Sequence, residues 1–244
     1  MFDRLVLIGV HLRSSAVILL FAVFGLTDAA SAASIAVDVG HYHAKPGVIS
    51  ARGVPEFEYN LQLAREVADA LRQAGHRVML IGGDGLAEDL GSRSPRAKGM
   101  DLFISIHHDS TQPRFFSTWQ HEGVERGYSD HFAGFSLFVS RLNPHTAASL
   151  KCASAIGSGL RQSGFTASRY HADPVIGENR PFADEANGVH YYDNLGVGKT
   201  ARMPSVLVEA GVIVNRKEEA RMLDPDVRAS IARAIASGAA ACLR

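Results

Sequence analysis

The sequence predicts an α/β fold, a three-layer sandwich in which helices cover both faces of a largely parallel, twisted sheet. Two observations support this fold class. Short apolar runs of strand length alternate with longer segments whose apolar residues recur at helical spacing. The short runs are almost wholly apolar, as in strands that are buried on both faces.

The local patterns justify each element in turn. The apolar run 35–39 predicts the first strand, and apolar residues at helical spacing over 60–74 predict the first long helix, which Gly75 ends. Further strands are predicted at 77–81, 102–106 and 205–209, and further helices at 86–97, 146–162, 217–223 and 227–243. The segments 109–144 and 165–203 have no clean period, so we expect them to be irregular, with one candidate strand near residue 190.

The composition is that of a folded globular protein. The 244 residues include 25 basic and 25 acidic side chains, and 46% are hydrophobic. These values exclude disordered, collagen-like and coiled-coil sequences. Because the charge is balanced, the chain lacks the basic surface typical of nucleic-acid-binding proteins, and we expect no nucleic acid partner.

Residues 1–32 are typical of a secretory signal peptide. Arg4 and Arg13 precede an apolar run over 16–26, and small residues follow at 30–32. A membrane anchor is the alternative. It would place Arg13 inside the bilayer, at a cost of roughly 2.5–3.5 kcal/mol, and the run is shorter than the about 20 residues that a spanning helix needs. We therefore expect an exported, periplasmic protein with no membrane span after cleavage, in which residues 33–244 form a single domain.

Three predicted strands end in a residue that can bind a metal or transfer a proton. His41 follows the first strand, His107 follows 102–106, and Glu209 ends the last strand. The carboxyl ends of parallel strands meet at one edge of the sheet, so these side chains are expected to converge there with Glu56, which precedes the first long helix. Two imidazoles and one carboxylate with an open position are typical of a catalytic zinc site. Each residue alone could equally serve a structural role, such as a surface hydrogen bond or a favourable charge at a helix start.

Four segments, in order, resemble one enzyme family: IAVDVGH, EFEYNL, FISIHHDS and MPSVLVEAGVIVN. They are similar in order and spacing to the zinc-dependent N-acetylmuramoyl-L-alanine amidases (Amidase_3), and the resemblance covers residues 33–244 as a single catalytic amidase domain. It implies that His41, Glu56 and His107 bind Zn²⁺ and that Glu209 is the catalytic carboxylate. The implied reaction is hydrolysis of the amide bond between N-acetylmuramic acid and L-alanine in peptidoglycan, during cell-wall remodelling or daughter-cell separation.

The chain departs from the family pattern near two of these residues. Phe57 stands where the family usually has lysine, which leaves Glu58 as a rival to Glu56; the offset to the following Asn-Leu pair favours Glu56. His108 is likewise a rival to His107. The segment from Arg93 to Ala97 also resembles a short R-x-x-x-A motif of the family.

Other assignments remain open at this stage. Arg180 could bind a carboxylate of a stem peptide, although an arginine in solvent is the simpler interpretation. The remaining histidines are expected to be surface or supporting groups rather than ligands: His121, His131, His145, His171 and His190. Cys152 and Cys242 are too few for a thiolate zinc site, and the choice between a disulfide and two buried thiols stays open.

Two other functions are compatible with the sequence. The chain could be a zinc peptidase that cuts within the stem peptides of peptidoglycan, or a non-catalytic module that binds the cell wall. A pure binding module needs neither an open metal position nor a catalytic acid, so the presence of all four residues favours an enzyme. No motif in the sequence identifies a protein activator.

Overall fold

The computed structural model describes residues 32–86, 90–175 and 177–244. The predicted signal peptide, apart from its last residue, therefore lies outside the described residues. The strands are β1 Ser34–Val39, β2 Arg77–Ile81, β3 Leu102–Asp109, β4 Ser117–His121, β5 Val124–Tyr128, β6 Ser136–Val139, β7 Phe182–Asp184, β8 Val189–Tyr191 and β9 Ser205–Val212. The helices are α1 Glu56–Gln73, α2 Leu90–Arg96, α3 Thr146–Gln162, α4 Gly196–Thr200, α5 Arg216–Leu223 and α6 Pro225–Cys242. None of the helices within these ranges is long and apolar enough to cross a membrane.

In the part of the chain that the structure describes, seven strands form one sheet in the order β2-β1-β3-β9-β6-β8-β7. The first four run parallel, β6 pairs antiparallel with β9 and parallel with β8, and β7 is antiparallel to β8. β4 and β5 pair with each other as a separate antiparallel hairpin. The predicted α/β fold with a largely parallel sheet is confirmed, and 102–106 is a central strand as its apolar sequence predicts.

Helices cover both faces of this sheet, so the three-layer arrangement is also confirmed. α1, α3, α5 and α6 pack on one face against strand residues such as Ile104. The smaller core on the other face contains Phe103, Leu207 and residues of α4. Because side chains alternate along a strand, His107 and Glu209 lie on the same face as Phe103 and Leu207. The candidate site therefore occupies the face with the thinner helix layer.

The sequence prediction was wrong where elements are short or begin without a periodic pattern. α1 begins at Glu56, four residues before the predicted start, because Pro55 has an extended backbone and two acidic residues occupy the first turn, where they favour the helix macrodipole. The two segments predicted as irregular contain β4 to β8 and α4, each of three to five residues. Of these elements, β8 coincides with the candidate strand predicted near residue 190, and the others were not predicted. A periodic pattern cannot be recognised over so few residues.

A disulfide bond joins Cys152 of α3 to Cys242 of α6. Both residues are buried in the core between these helices and the sheet. The two helices pack against each other along their lengths, so the bond fixes a contact that burial already favours. The question that the sequence left open is thus answered in favour of the disulfide.

Candidate active site

His41, Glu56 and His107 lie together at the carboxyl ends of β1 and β3. Their ligand atoms are all within 4.8 Å of one another. Glu56 Oε2 is 3.1 Å from His41 Nε2, and Glu56 Oε1 is 3.1 Å from His107 Nδ1. One carboxylate thus faces two imidazoles, which is a donor set that can hold a divalent metal ion and leave a position open.

The carboxylate of Glu56 is held by α1 and by two backbone segments. Asn60, one turn further along the helix, donates to Glu56 Oε1 at 3.0 Å and to Gly40 O at 3.1 Å. The backbone N–H of Val48 donates to Oε2 and that of His108 to Oε1, at 3.2 and 3.3 Å. Burial would raise the pKa of Glu56, but the hydrogen bonds with the two imidazoles lower it below the usual range, so the group is a carboxylate anion.

Two glycines leave room for these side chains. A Cβ on Gly40 would lie 2.5 Å from the ring of His107. A Cβ on Gly47 would lie 2.8 Å from Glu56 Cβ and from His41 Cδ2, and closer still to Glu56 Oε2. Gly47 also has a φ of +82°, which side chains of L-residues rarely adopt. Larger residues at either position would displace the cluster.

Arg93 supports the backbone that presents His41. Its fully buried guanidinium donates to Asp38 Oδ1 at 2.9 Å and to the carbonyl oxygens of Val39 and His41. Ser105 Oγ donates to the other oxygen of Asp38 at 2.7 Å. Burial raises the pKa of Asp38, and the Arg93 charge opposes that effect. The segment that resembles the R-x-x-x-A motif therefore lies directly beneath the candidate site.

The rival ligands lie outside this cluster. Among the described residues the metal-competent group includes neither Glu58 nor His108. His108 points to the opposite face of β3, where its Nδ1 lies 2.8 Å from Asn60 Oδ1, and burial lowers its pKa to about 4. The structure thus brings together His41, Glu56 and His107 and leaves both rivals apart.

Glu209 lies beside the cluster on the neighbouring strand. It is the register partner of His107 in the β3–β9 pair, so both side chains lie on the same face. Its Oε2 is buried and has no hydrogen-bond partner in the part of the chain that the structure describes. Burial, followed by the negative charges of Asp109 and Glu56, raises the pKa of Glu209 well above the usual range.

A cavity of about 370 Å³ opens beside Glu209, and one of its walls is a chain of alternating charges. His171 Nε2 is 2.7 Å from Asp109 Oδ2, and His171 Nδ1 is 2.8 Å from Glu178 Oε2. The same oxygen of Glu178 accepts a hydrogen bond from Arg180 Nη1. Burial would lower the pKa of His171, but the two carboxylates raise it to about 9, so this imidazole is protonated at neutral pH.

The sequence alone does not predict this charged wall. The interpretation of Arg180 as an arginine in solvent is wrong, because its side chain is 17% exposed and lines the cavity. Asp109 could have been found, since strand alternation places it on the same face as His107. His171 and Glu178 come from a segment without a periodic pattern, and no sequence signal pairs them. His171 and His190 are buried and lie outside the metal-competent cluster, as expected of supporting groups.

Comparison with known proteins identifies the family. The family model for Amidase_3, N-acetylmuramoyl-L-alanine amidase, matches residues 35–241. The chain belongs to this amidase family. The resemblance carried by the four sequence segments is thereby confirmed, and the candidate site lies entirely within the matched residues.

Individual relatives agree with this assignment. The amidase AmiC of Neisseria meningitidis serogroup B is 28% identical over 213 residues, which are 84% of this chain and 51% of the relative, so the chain spans about half the length of that protein. The catalytic domain of the amidase CwlV from Bacillus (Paenibacillus) polymyxa is 25% identical, with a TM-score of 0.63 over 84% of this chain and 95% of that domain. The amidase Ami1 of Mycobacterium smegmatis has a TM-score of 0.68 over 89% of this chain and 99% of its own, and at 22% identity it supports the fold alone.

Proposed function

We propose that this chain is a zinc-dependent amidase that hydrolyses the amide bond between N-acetylmuramic acid and L-alanine in peptidoglycan, for cell-wall remodelling or daughter-cell separation. The observation that carries the proposal is the position of His41, Glu56 and His107 beside Glu209, at one edge of the sheet, in a chain of the amidase family. This arrangement supplies both a metal site and a separate proton-transferring group.

The donor set of the cluster fits zinc. Two imidazole nitrogens and one ionised carboxylate are ligands that catalytic zinc sites use, with the fourth position open for water or substrate. The ligand atoms already lie within 4.8 Å of one another, and Asn60 and Arg93 hold the side chain of Glu56 and the backbone of His41. Bound zinc would polarise the scissile carbonyl and lower the pKa of a coordinated water to about 7.

Glu209 is the proton carrier of the proposed reaction. As the oxygen of water bonds to the lactyl carbonyl carbon, Glu209 takes the proton that the water loses. When the carbon–nitrogen bond breaks, Glu209 delivers this proton to the leaving amino group of L-alanine. The buried Oε2 of Glu209, which has no partner among the described residues, supports this role because no competing hydrogen bond holds it.

Digestion of purified peptidoglycan by the full chain tests the proposal. With zinc, we expect mass spectrometry to detect complete stem peptides with a free amino-terminal L-alanine, and chelation should abolish their release. A zinc peptidase would instead leave shortened peptides attached to the glycan, and a non-catalytic wall-binding module would release nothing. Either of those results, or release that persists after chelation, contradicts the proposal.

We also propose that residues 1–32 direct export to the periplasm and that 33–244 are the single catalytic domain. The disulfide between Cys152 and Cys242 supports export, because disulfides persist in oxidising compartments. The proposed substrate also lies outside the cytoplasmic membrane. Cell fractionation and amino-terminal sequencing should find a periplasmic protein that begins near Ala33. A cytoplasmic protein that retains Met1 would contradict export.

A further inference from the structure

The cavity beside Glu209 has the size and lining of a small binding site. Its volume of about 370 Å³ lies in the lower part of the range for ligand sites, roughly 300–1,000 Å³, and equals about a dozen waters at ~30 Å³ each. Its apolar lining comes from Phe138, Tyr192, Leu195 and Leu207. The charged residues Arg180 and His171 pack directly against this lining, Arg180 on Tyr192 and His171 on Phe138.

Two buried polar atoms at this cavity indicate that a polar molecule completes it. Glu209 Oε2 and Thr111 Oγ1 belong to residues that line the cavity, and they find no hydrogen-bond partner among the residues that the structure describes. Buried polar atoms in folded proteins are rarely left without a partner, so these two are expected to bond to a ligand or to water.

Arg180 is held in a fixed orientation at the wall of the cavity. The guanidinium lies 4.3 Å from the centre of the Tyr192 ring and 5.8 Å from that of Phe138. Its Nη1 bonds to Glu178, so stacking and hydrogen bonding together fix the plane of the group. A guanidinium that is already oriented loses little entropy when it binds a carboxylate.

His171, the other cation of the cavity, is not available to a ligand. Its two ring nitrogens are engaged by Asp109 and Glu178, at 2.7 and 2.8 Å. Glu178 thus shares its charge between His171 and Arg180. The wall carries two positive charges, on His171 and Arg180, and two negative charges, on Asp109 and Glu178. The guanidinium of Arg180 is itself bonded through Nη1 to Glu178 and through Nη2 to Gly177 O, so an additional anion in the cavity would meet the guanidinium N–H groups that these two bonds leave over.

We propose that Arg180 binds a carboxylate of the stem peptide on the residue that follows L-alanine, and that it thereby selects acidic over amidated stem peptides. This inference rests on the proposed function, because it takes the scissile amide to lie between the metal-competent cluster and Glu209. The lactyl carboxyl of muramic acid is consumed in that amide, so a nearby carboxylate must lie on the peptide side. Glu209 and Arg180 both line the cavity, so the inference assigns this cavity to the peptide side of the scissile amide.

The test uses two muropeptides. They differ only at the residue after L-alanine, which carries a carboxylate in one and a carboxamide in the other. Calorimetry with the Glu209→Gln protein, zinc-loaded, measures binding without turnover. We expect the acid to bind about tenfold or more tightly than the amide, because hydrogen bonds between charged groups contribute that much. Arg180→Gln should weaken binding of the acid alone and remove the preference. Arg169→Gln is the matched control, since Arg169 belongs to the same segment but is 73% exposed and pairs with Glu185.

The outcomes separate this inference from the proposed reaction. Equal affinities for acid and amide, or a preference that survives Arg180→Gln, would overturn the role of Arg180, whether or not the wild-type protein cleaves both muropeptides. Failure of the zinc-loaded wild-type protein to cleave either would refute the amidase proposal, while a preference for the acid would still support the carboxylate site. If Arg180→Gln does not fold, Arg180→Lys keeps the charge beside Glu178 and should reduce the preference, because lysine lacks the planar fork of donors; an unchanged preference would refute it.

Discussion

Gly47 is the position at which the proposed zinc site can be disturbed without removing a ligand. In Gly47→Ala the new Cβ would lie 2.8 Å from both Glu56 Cβ and His41 Cδ2, where ordinary contacts begin at 3.4 Å. The side chains must therefore shift by about 0.6 Å or more, about three times the tolerance of roughly 0.2 Å that metal–ligand distances allow. Changes that merely misorient a ligand cost 10–100-fold in affinity, so we expect Gly47→Ala to weaken zinc binding by about 100-fold or more.

Gly75→Ala is the matched control for the backbone strain. Gly75 has a φ of +89°, close to the +82° of Gly47, but nothing lies within 4 Å of its added Cβ. Both substitutions should cost about 1–2 kcal/mol of folding free energy through the left-handed backbone. For a domain of this size, that cost lowers Tm by about 2–8 °C. Only Gly47→Ala should also lose zinc.

The test compares the zinc affinities of the two variants, measured by competition with a chromogenic chelator. Tm is measured on the same samples. The expected result is a fall in Tm in both apo-proteins, larger in Gly47→Ala because its added Cβ also displaces packed side chains, with the loss of zinc affinity confined to Gly47→Ala. If Gly47→Ala and Gly75→Ala bind zinc within threefold of each other, the cluster around Glu56 is not the metal site, or it is far more plastic than its packing indicates.

Three further predictions concern the proton carrier, the charged wall and the disulfide. Glu209→Ala should keep its zinc while turnover falls about 10²–10⁴-fold, whereas His107→Ala should lose zinc and activity together; a Glu209→Ala protein without zinc would contradict the assigned roles. His171 has a folded-state pKa of about 9, above its unfolded value near 6.5. This difference contributes on the order of 3 kcal/mol to the free energy of unfolding. The contribution is complete below pH 6.5 and is lost as the pH rises through 9. The difference in unfolding free energy between wild type and His171→Gln should shrink over that range, and a difference that grows with pH would refute this account. Replacing Cys152 and Cys242 with alanine opens a loop with a sequence separation of 90 and should cost about 4.6 kcal/mol on the chain-entropy model; a denaturant midpoint equal to that of wild type would contradict a formed disulfide.

The long elements and their order could be predicted because each is either an apolar run of strand length or a segment with apolar residues at helical spacing. The strand 102–106 is apolar except for Ser105 and lies inside the sheet between β1 and β9, and the stripe over 146–162 is a helix with those same bounds. β4 to β7 could not be predicted, because strands of three to five residues depend on pairing with neighbours rather than on their own period; β8 coincides with the candidate strand near residue 190. Tertiary context thus largely determines the part of the sheet beyond β9, where β6, β8 and β7 lie.

The candidate site also has a part that the sequence predicts and a part that it does not. Residues at the ends of strands, such as His107 and Glu209, could be found because parallel topology brings those ends together. The charged wall could not, because His171 and Glu178 lie in a segment whose position depends on contacts with β3 and with the segment after it. Asp109 is intermediate, since its alternation with His107 was visible but its partner was not.

The contrast between the two carboxyl groups supports separate roles for them. Glu56 accepts hydrogen bonds from Asn60 and from two backbone N–H groups while it faces both imidazoles, so its position is overdetermined. A metal ligand benefits from such restraint, because its geometry must not change during the reaction. Glu209 Oε2 lacks a partner among the described residues, although it is buried and Glu209 lines the cavity. A group that must accept a proton from water and pass it to a leaving amine needs that freedom, and a carboxylate held as firmly as Glu56 could not supply it.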